Sequence, residues 1–265
     1  VHRVMRVRAY ARLALAGFRR YSTYRRATFA GIAANVMFGL LRTAVLTAAI
    51  APVGHGGGYD TTATTTYVWL GQGLMAFVVL WGDSTLSDRI RTGNIVVDLY
   101  RPWHLQAALF AQDVGRACHA ALARLLPPVA VGALFFPFRW PAPELLPVFA
   151  VSAALGLVVS FNIRFMINCT AFWLLDNRGL LSVYGVVIPL LSGLAVPLAF
   201  LPEWGRDLLW STPFPAILQA PVDVFLGVGS PWLLLSHQVV SAIGTSALGH
   251  LVLRSAVHRV VVQGG

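Results

Sequence analysis

The residues of this chain best suited to recognition chemistry lie in one passage, "LSDRIRTGNIVVDLYRPWHLQ", residues 86–106. It gathers Arg89, Arg91 and Arg101 with Asp88 and Asp98, in a chain of which only 11% is charged. Asp88 and Arg91 are three apart and can pair across one helical turn. Asp83 or Ser84 can cap that short helix, which would run through Leu86 and Ile90 and end near Gly93. Charges arranged in this way bind a partner rather than cleave a bond. No HExxH or GxSxG pattern is present, so an intramembrane enzyme is not expected. Every one of the 20 basic residues is arginine. A phosphate-binding P-loop needs a lysine to reach the β- and γ-phosphates, so the glycine-rich "GHGGGYD" at 54–60 reads as a loop.

A second constellation has a spacing of four: Ser152, Gly156, Ser160, Arg164 and Asn168. Such residues stack on one face of a helix. Its outer half is small enough for close helix packing, and its inner half is polar. Ser160, Arg164 and Asn168 are therefore candidates for a dimer seam or the wall of an inward-open cavity, with a satisfied contact inside the chain equally open. Arg42 and Arg124 also fall in apolar runs. A charge at the bilayer centre costs at least about 2.5–3.5 kcal/mol. Arg124 is near enough to the inner face to snorkel; for Arg42, outward snorkelling and a functional role both stand.

These residues are embedded in a membrane protein. Hydrophobic residues make up 57% of the chain and the mean hydropathy is +0.70, whereas a soluble domain has about a quarter of its residues charged. The apolar runs predict an all-α fold with six spans, since each crossing takes roughly 20 residues. The spans are expected near 28–51, 64–82, 117–136, 144–175, 179–201 and 231–254. Arginine is concentrated before the first span, in the 83–116 loop, around 176–178 and at the C-terminal end, fifteen residues against two (Arg139 and Arg206) in the other loops. The side with that excess is cytoplasmic, which places both ends inside. Trp81, Trp103 and Trp173 then lie at inner ends, and Trp140, Trp204, Trp210 and Trp232 at outer ends, the belt expected of tryptophan.

The net charge of +10 is distributed as a cytoplasmic anchor, which argues against a nucleic-acid partner. Eight arginines precede residue 27; within 1–27, Val7, Ala11, Leu15 and Phe18 share a helical face beside Arg8, Arg12 and Arg19. That pattern predicts an amphipathic helix in the inner interface of the lipid bilayer. The run ending in "AIA" at 49–51 is too long for a signal peptide and is interrupted by Arg42, so it is read as an uncleaved first helix. The six-span membrane domain proper would be 28–265. Its outer segment 202–230, cut by Pro213, Pro215 and Pro221, should form two short helical pieces, possible as a re-entrant turn. All ten acidic residues are expected in loops or at helix ends, leaving no membrane carboxylate to take up a coupling ion. Cys118 and Cys169 read as buried free thiols, and no metal site is expected.

The passage "DRIRTGNIVVDLYRP" resembles the I-R-x-G-x-I-x-x-D-L-x-R-P stretch of type-2 ATP-binding-cassette permeases, the six-helix exporter-like branch of ABC-2 family transporter proteins. The matching positions are Ile90, Arg91, Gly93, Ile95, Asp98, Leu99, Arg101 and Pro102. "LP" at 201–202 and "PFPAILQAPVDVFLG" at 213–227 resemble that family's outer segment more loosely. The resemblance implies a multi-pass permease of a prokaryotic plasma (inner) membrane. It would pair with a second permease, alike or different, and with two copies of a separate ATPase. ATP and Mg would be bound by that ATPase and no cofactor by this chain. The coupling surface would comprise Asp88, Arg89, Ile90, Arg91, Gly93, Asn94, Asp98, Arg101 and Pro102. The alternative is an ATP-independent channel or secondary transporter, which the lack of buried acids disfavours.

Overall fold

The computed structural model describes residues 2–23, 25–51, 55–56, 58–174 and 176–259. Its helices are α1 (His2–Ser22), α2 (Arg25–Ile50), α3 (Thr61–Val78), α4 (Thr85–Arg91), α5 (Ile95–Leu99), α6 (Leu105–Ala120), α7 (Leu126–Phe135), α8 (Leu145–Cys169), α9 (Ala171–Leu174), α10 (Arg178–Leu191), α11 (Glu203–Trp210), α12 (Gln219–Leu226) and α13 (Pro231–Val257). Part of the expected 54–60 loop is ordered into a two-residue antiparallel ladder, β1 (His55–Gly56) with β2 (Tyr59–Asp60); Gly54 and Gly57 lie outside the described residues.

Among the described residues, four helical stretches are long and apolar enough to cross a membrane: Thr28–Ile50, Leu105–Phe135, Leu145–Leu174 and Pro231–Val257. The second begins twelve residues before the expected start of the third span, so the polar loop ends at His104 and not at residue 116. Between α6 and α7 the chain forms a π-turn over Ala121–Leu125. Pro127 and Pro128 follow it directly; proline lacks an N–H and clashes with the carbonyl four residues back, and the wider turn accommodates both. The expected fifth span is cut short. α10 has only 14 residues, contains Pro189 and is followed by Gly193 at φ +83° and by Pro197.

Helix α3 has 18 residues and is the most enclosed of the longer helices. Tyr67, Trp69, Leu70 and Leu74 are fully buried in it. Its threonines are accommodated because Thr65 and Thr66 donate to the carbonyls of Thr61 and Thr62 at 2.8 and 2.9 Å, and because protein rather than lipid surrounds them. Asp60 caps the helix by accepting from the Ala63 N–H at 2.7 Å. Lipid tails are as apolar as leucine, so helices in a bilayer associate through close packing and interhelical hydrogen bonds of roughly 0.6 kcal/mol each. The α1–α6 pair shows the packing route. Gly115 faces the Ala14 carbonyl and Gly17 faces the Gln112 backbone, each so closely that a Cβ would collide. The face of α1 against α6 therefore runs through Ala14 and Gly17. Leu15 and Ala11 are left exposed beside Arg8, Arg12 and Arg19, while the Val7 side chain lies outside the described residues. Cys169 is buried as expected, but Cys118 is exposed, because it lies on the side of α6 turned away from the bundle.

Candidate functional site

The polar passage folds into two short helices, α4 and α5, tied to each other by charge. Asp83 Oδ1 accepts from the Thr85 N–H at 2.9 Å and from its hydroxyl at 2.5 Å, which starts α4. Ser84 donates to Asp88 at 3.0 Å, and Asp88 pairs with Arg91 at 3.1 Å. Gly93, at φ +75°, ends the helix in the left-handed conformation that glycine adopts without steric cost. Asn94 donates to the Thr92 hydroxyl at 3.0 Å and leads into α5. Asp98 then joins both sides, 3.1 Å from Arg89 and 3.7 Å from Arg101. The Arg101 guanidinium lies over the Trp103 ring at 5.1 Å, beside the exposed Pro102.

These bonds divide the expected coupling residues into two groups. Arg89, Ile90 and Asp98 face inward and hold the shape, while Asp88, Arg91, Gly93, Asn94, Arg101 and Pro102 are exposed. The most exposed apolar groups of the passage, Val97 at 59% and Tyr100 at 85%, were not among the sequence candidates. Their signal was present in "IVVDLY" (95–100). Ile95 and Leu99, four apart, turn inward, whereas Val97 and Tyr100, three apart, form the opposite face.

The passage is fastened to the C-terminal end of α8. Asn168 Oδ1 accepts from the Ser87 N–H at 3.0 Å and from its hydroxyl at 2.6 Å, and Asn168 Nδ2 donates to the Asp83 carbonyl at 2.7 Å. Asn177, ahead of α10, donates to Ser87 Oγ at 3.0 Å and to the Ile167 carbonyl at 2.8 Å. A displacement of α4 is therefore passed to α8 and to the start of α10 through Ser87.

The four-spaced row on α8 is consumed inside the chain. Ser152 donates to Gln238 at 2.7 Å, Gly156 abuts the Ile217 carbonyl, and Ser160 donates to the Val78 carbonyl at 2.6 Å. Arg164 pairs with Asp113 at 2.8 Å. Ser160, Arg164 and Asn168 are 0%, 5% and 4% exposed, and they hydrogen-bond to neighbouring segments of the chain, the satisfied contact that the spacing left open beside the seam and the cavity wall. Arg164 and Asn168 do line a small cavity beside α4.

Asp113 and Arg116, read from sequence as loop residues, prove central. Asp113 lies within α6 and is bound by Arg116 at 2.6 Å as well as by Arg164, which corrects the expectation that no carboxylate lies inside a span. Held by two guanidinium groups, it is not free to take up a coupling cation. Arg116 also donates to the carbonyls of Ala76 and Phe77 at 2.9 and 2.7 Å. A cation at the last carbonyls of a helix satisfies them and opposes the helix dipole. The next residues enter Val79, a β-branched residue at φ +53°, a conformation costing on the order of 1–3 kcal/mol. The path from the end of α3 into the polar passage is thus fixed by Arg116 and Ser160.

On the opposite side, residues 202–230 form two short helical pieces, α11 and α12, and α12 is fully enclosed. Gln219 organises it, donating to Tyr59 and Asp223 at 3.0 and 2.9 Å and accepting from Tyr67 and the Leu198 N–H at 3.2 and 3.1 Å. The Tyr59 hydroxyl also donates to Asp223. Arg42 is directed at the carbonyls of Leu194 and Ala195 in the break after α10; it secures irregular backbone in place of snorkelling outward.

A family model described as ABC-2 family transporter protein matches residues 35–264. No curated protein and no solved structure gives a match.

Proposed function

Starting from a chain that belongs to the ABC-2 transporter family and is a multi-pass membrane protein, we propose that it is the permease subunit of an ATP-driven exporter. The observation that carries this reading is the build of α4–α5. An ionic clamp at Asp98 and a hydrogen-bonded anchor at Ser87 and Asn168 present Val97, Tyr100 and Arg91 outward as one rigid surface. A segment that bore only solvent contact would not need internal charge pairing or so exposed a tyrosine. The exposed aromatic with flanking arginines has the composition of an interface anchor. In this reading the surface seats in a separate ATPase subunit, two copies per transporter, which binds ATP and Mg. The motion is passed through Ser87 to α8 and through Arg116 to α3.

The four long stretches would be joined by α3 and by α10 with the broken segment after it, giving six spans with both ends cytoplasmic. An 18-residue helix is about 27 Å long, close to the hydrocarbon thickness of about 30 Å. Half of a substrate path would then come from this chain and half from a second permease, alike or different, in a prokaryotic plasma membrane. The test is affinity purification of the tagged chain from its own cells in mild detergent, with mass spectrometry of the captured proteins. A P-loop ATPase at comparable stoichiometry supports the proposal. An assembled transporter that moves solute without any ATPase would overturn it in favour of a channel or secondary carrier.

A further inference from the structure

Two cavities meet behind the polar passage, and their linings differ. The smaller, of about 90 Å³, is bounded by Arg20, Arg89, Arg116, Arg164, Asp83 and Asp113. The larger, of about 440 Å³, is bounded by Met75, Val79, Trp81 and Ala120, with His119 and Arg124 at its edge. Tyr21 and Arg116 form part of both walls.

The charge in the smaller cavity is not balanced. Arg116 and Arg164 share the one carboxylate of Asp113, and all three side chains are at most 9% exposed. Burying an uncompensated charge is strongly unfavourable. The Nε of Arg164 is buried without a hydrogen-bond partner. Arg89 on the same wall is already paired with Asp98 at 3.1 Å, so with Arg20 and Asp83 three guanidinium groups face two carboxylates around the same space. That excess of one positive charge, with the unpartnered Nε of Arg164 beside it, suits a phosphate headgroup, an anion rich in hydrogen-bond acceptors. The volume is near that of three water molecules, at about 30 Å³ each, and suits a headgroup but not a larger polar molecule. Next to it, the larger cavity offers an apolar wall.

We infer that the two cavities together bind one phosphate-headed amphiphile, its headgroup among Arg20, Arg116 and Arg164 and its chain along Met75, Val79 and Trp81. The ligand would be wedged between α1, α4, α6 and α8, where it neutralises the triad and braces the passage against the bundle. This site stands independently of the partner ATPase, because it uses only groups of this chain.

The experiment is equilibrium binding to the full chain in an uncharged detergent, with three probes: lysophosphatidic acid, the uncharged monoacylglycerol of the same chain, and inorganic phosphate. Lysophosphatidic acid should bind one to one and at least about tenfold more tightly than either other probe, the factor that one lost charge-assisted contact produces. Arg20→Glu, on the exposed side of α1 and remote from the folding core, should weaken it by a similar factor. Arg164→Gln, checked for folding by its thermal transition, should do the same. Equal binding of the monoacylglycerol would overturn the headgroup assignment, and equal binding of inorganic phosphate would overturn the chain assignment. Unchanged binding in Arg20→Glu and Arg164→Gln would place the ligand elsewhere and overturn the site.

Discussion

Arg164 of α8 reaches Asp113 of α6 at 2.8 Å, and the same carboxylate holds Arg116 at 2.6 Å. One buried acid thus restrains two helices and, through Arg116, the end of a third. The residues are not equivalent. Asp113→Asn removes the only carboxylate of the triad and leaves two buried guanidinium groups, so it should cost about 3–5 kcal/mol. Arg164→Gln leaves Asp113 paired with Arg116 and should cost nearer 1.5–3 kcal/mol, roughly one charged hydrogen bond. Thermal unfolding of the purified variants measures the order. Equal losses would mean that the carboxylate is not shared.

Gly115 is the point where α1 comes closest to α6. A Cβ there would meet the Ala14 carbonyl and the Phe18 N–H, which are backbone atoms that cannot swing aside. Gly115→Val should therefore lift α1 from the bundle at a cost of about 1–3 kcal/mol, and limited proteolysis should cut ahead of α2 in the variant before it cuts the wild type. A variant as resistant as the wild type would show that α1 is retained by lipid contacts and not by α6.

How far the sequence reveals this arrangement depends on the range of the interaction. Local features were legible. Asp83 and Gly93 bound α4, Asp88 pairs with Arg91, and Pro213 and Pro215 separate α11 from α12, while Pro221 is accommodated inside α12. The row on α8 was recognised by its spacing, but where it points depends on partners far along the chain: Ser160 on the end of α3, Arg164 on α6, Asn168 on α4. Asp113 was misplaced because hydropathy registers "AQDVGR" as a break, whereas paired charges are tolerated once they face protein. Helix α3 shows the converse: its threonines lower its hydropathy although it lies at the centre of the core.

Asn168 supplies both halves of the anchor for α4. Asn168→Leu keeps the branched shape but leaves the Ser87 amide and the Asp83 carbonyl without their partner and the Ser87 hydroxyl without its nearest acceptor. The expected loss is about 1–3 kcal/mol, the cost of leaving buried polar groups unsatisfied. Hydrogen exchange should become faster across 84–92 and stay unchanged in α13. Uniform acceleration over the whole chain would mean that the residue serves global packing.

Tyr100 and Val97 protrude where Asp98 does not. If α4–α5 seats in an ATPase, truncation of the exposed anchor should weaken capture of that subunit without disturbing the chain itself. Tyr100→Ala and Val97→Asp are expected to lower affinity by about tenfold or more, the range of interface hot spots, with an unchanged thermal transition. Asp98→Asn should act differently, because it releases Arg89 and Arg101 together and loosens the segment before any partner arrives. Full capture by both surface variants would remove these two side chains from the docking surface.

His104 and His250 join the end of the polar passage to α13. Their ring nitrogens are 3.1 Å apart and the rings stack at 5.1 Å, a contact that needs at least one neutral imidazole to accept. The His104 pKa is lowered from its ordinary 6.5 by partial burial, and further by the neighbouring His250. A base with a lowered folded-state pKa binds fewer protons folded than unfolded in the window between the two values. The link is therefore intact above about pH 6.5 and is lost as pH falls from there through the folded value. His104 is exposed, so the global effect should be small and the local one clear: exchange across 100–104 should quicken on acidification. His250→Phe keeps a ring for stacking but removes the ring nitrogen that His104 contacts, and should flatten that dependence. An identical acid response in His250→Phe would assign the titration to another group.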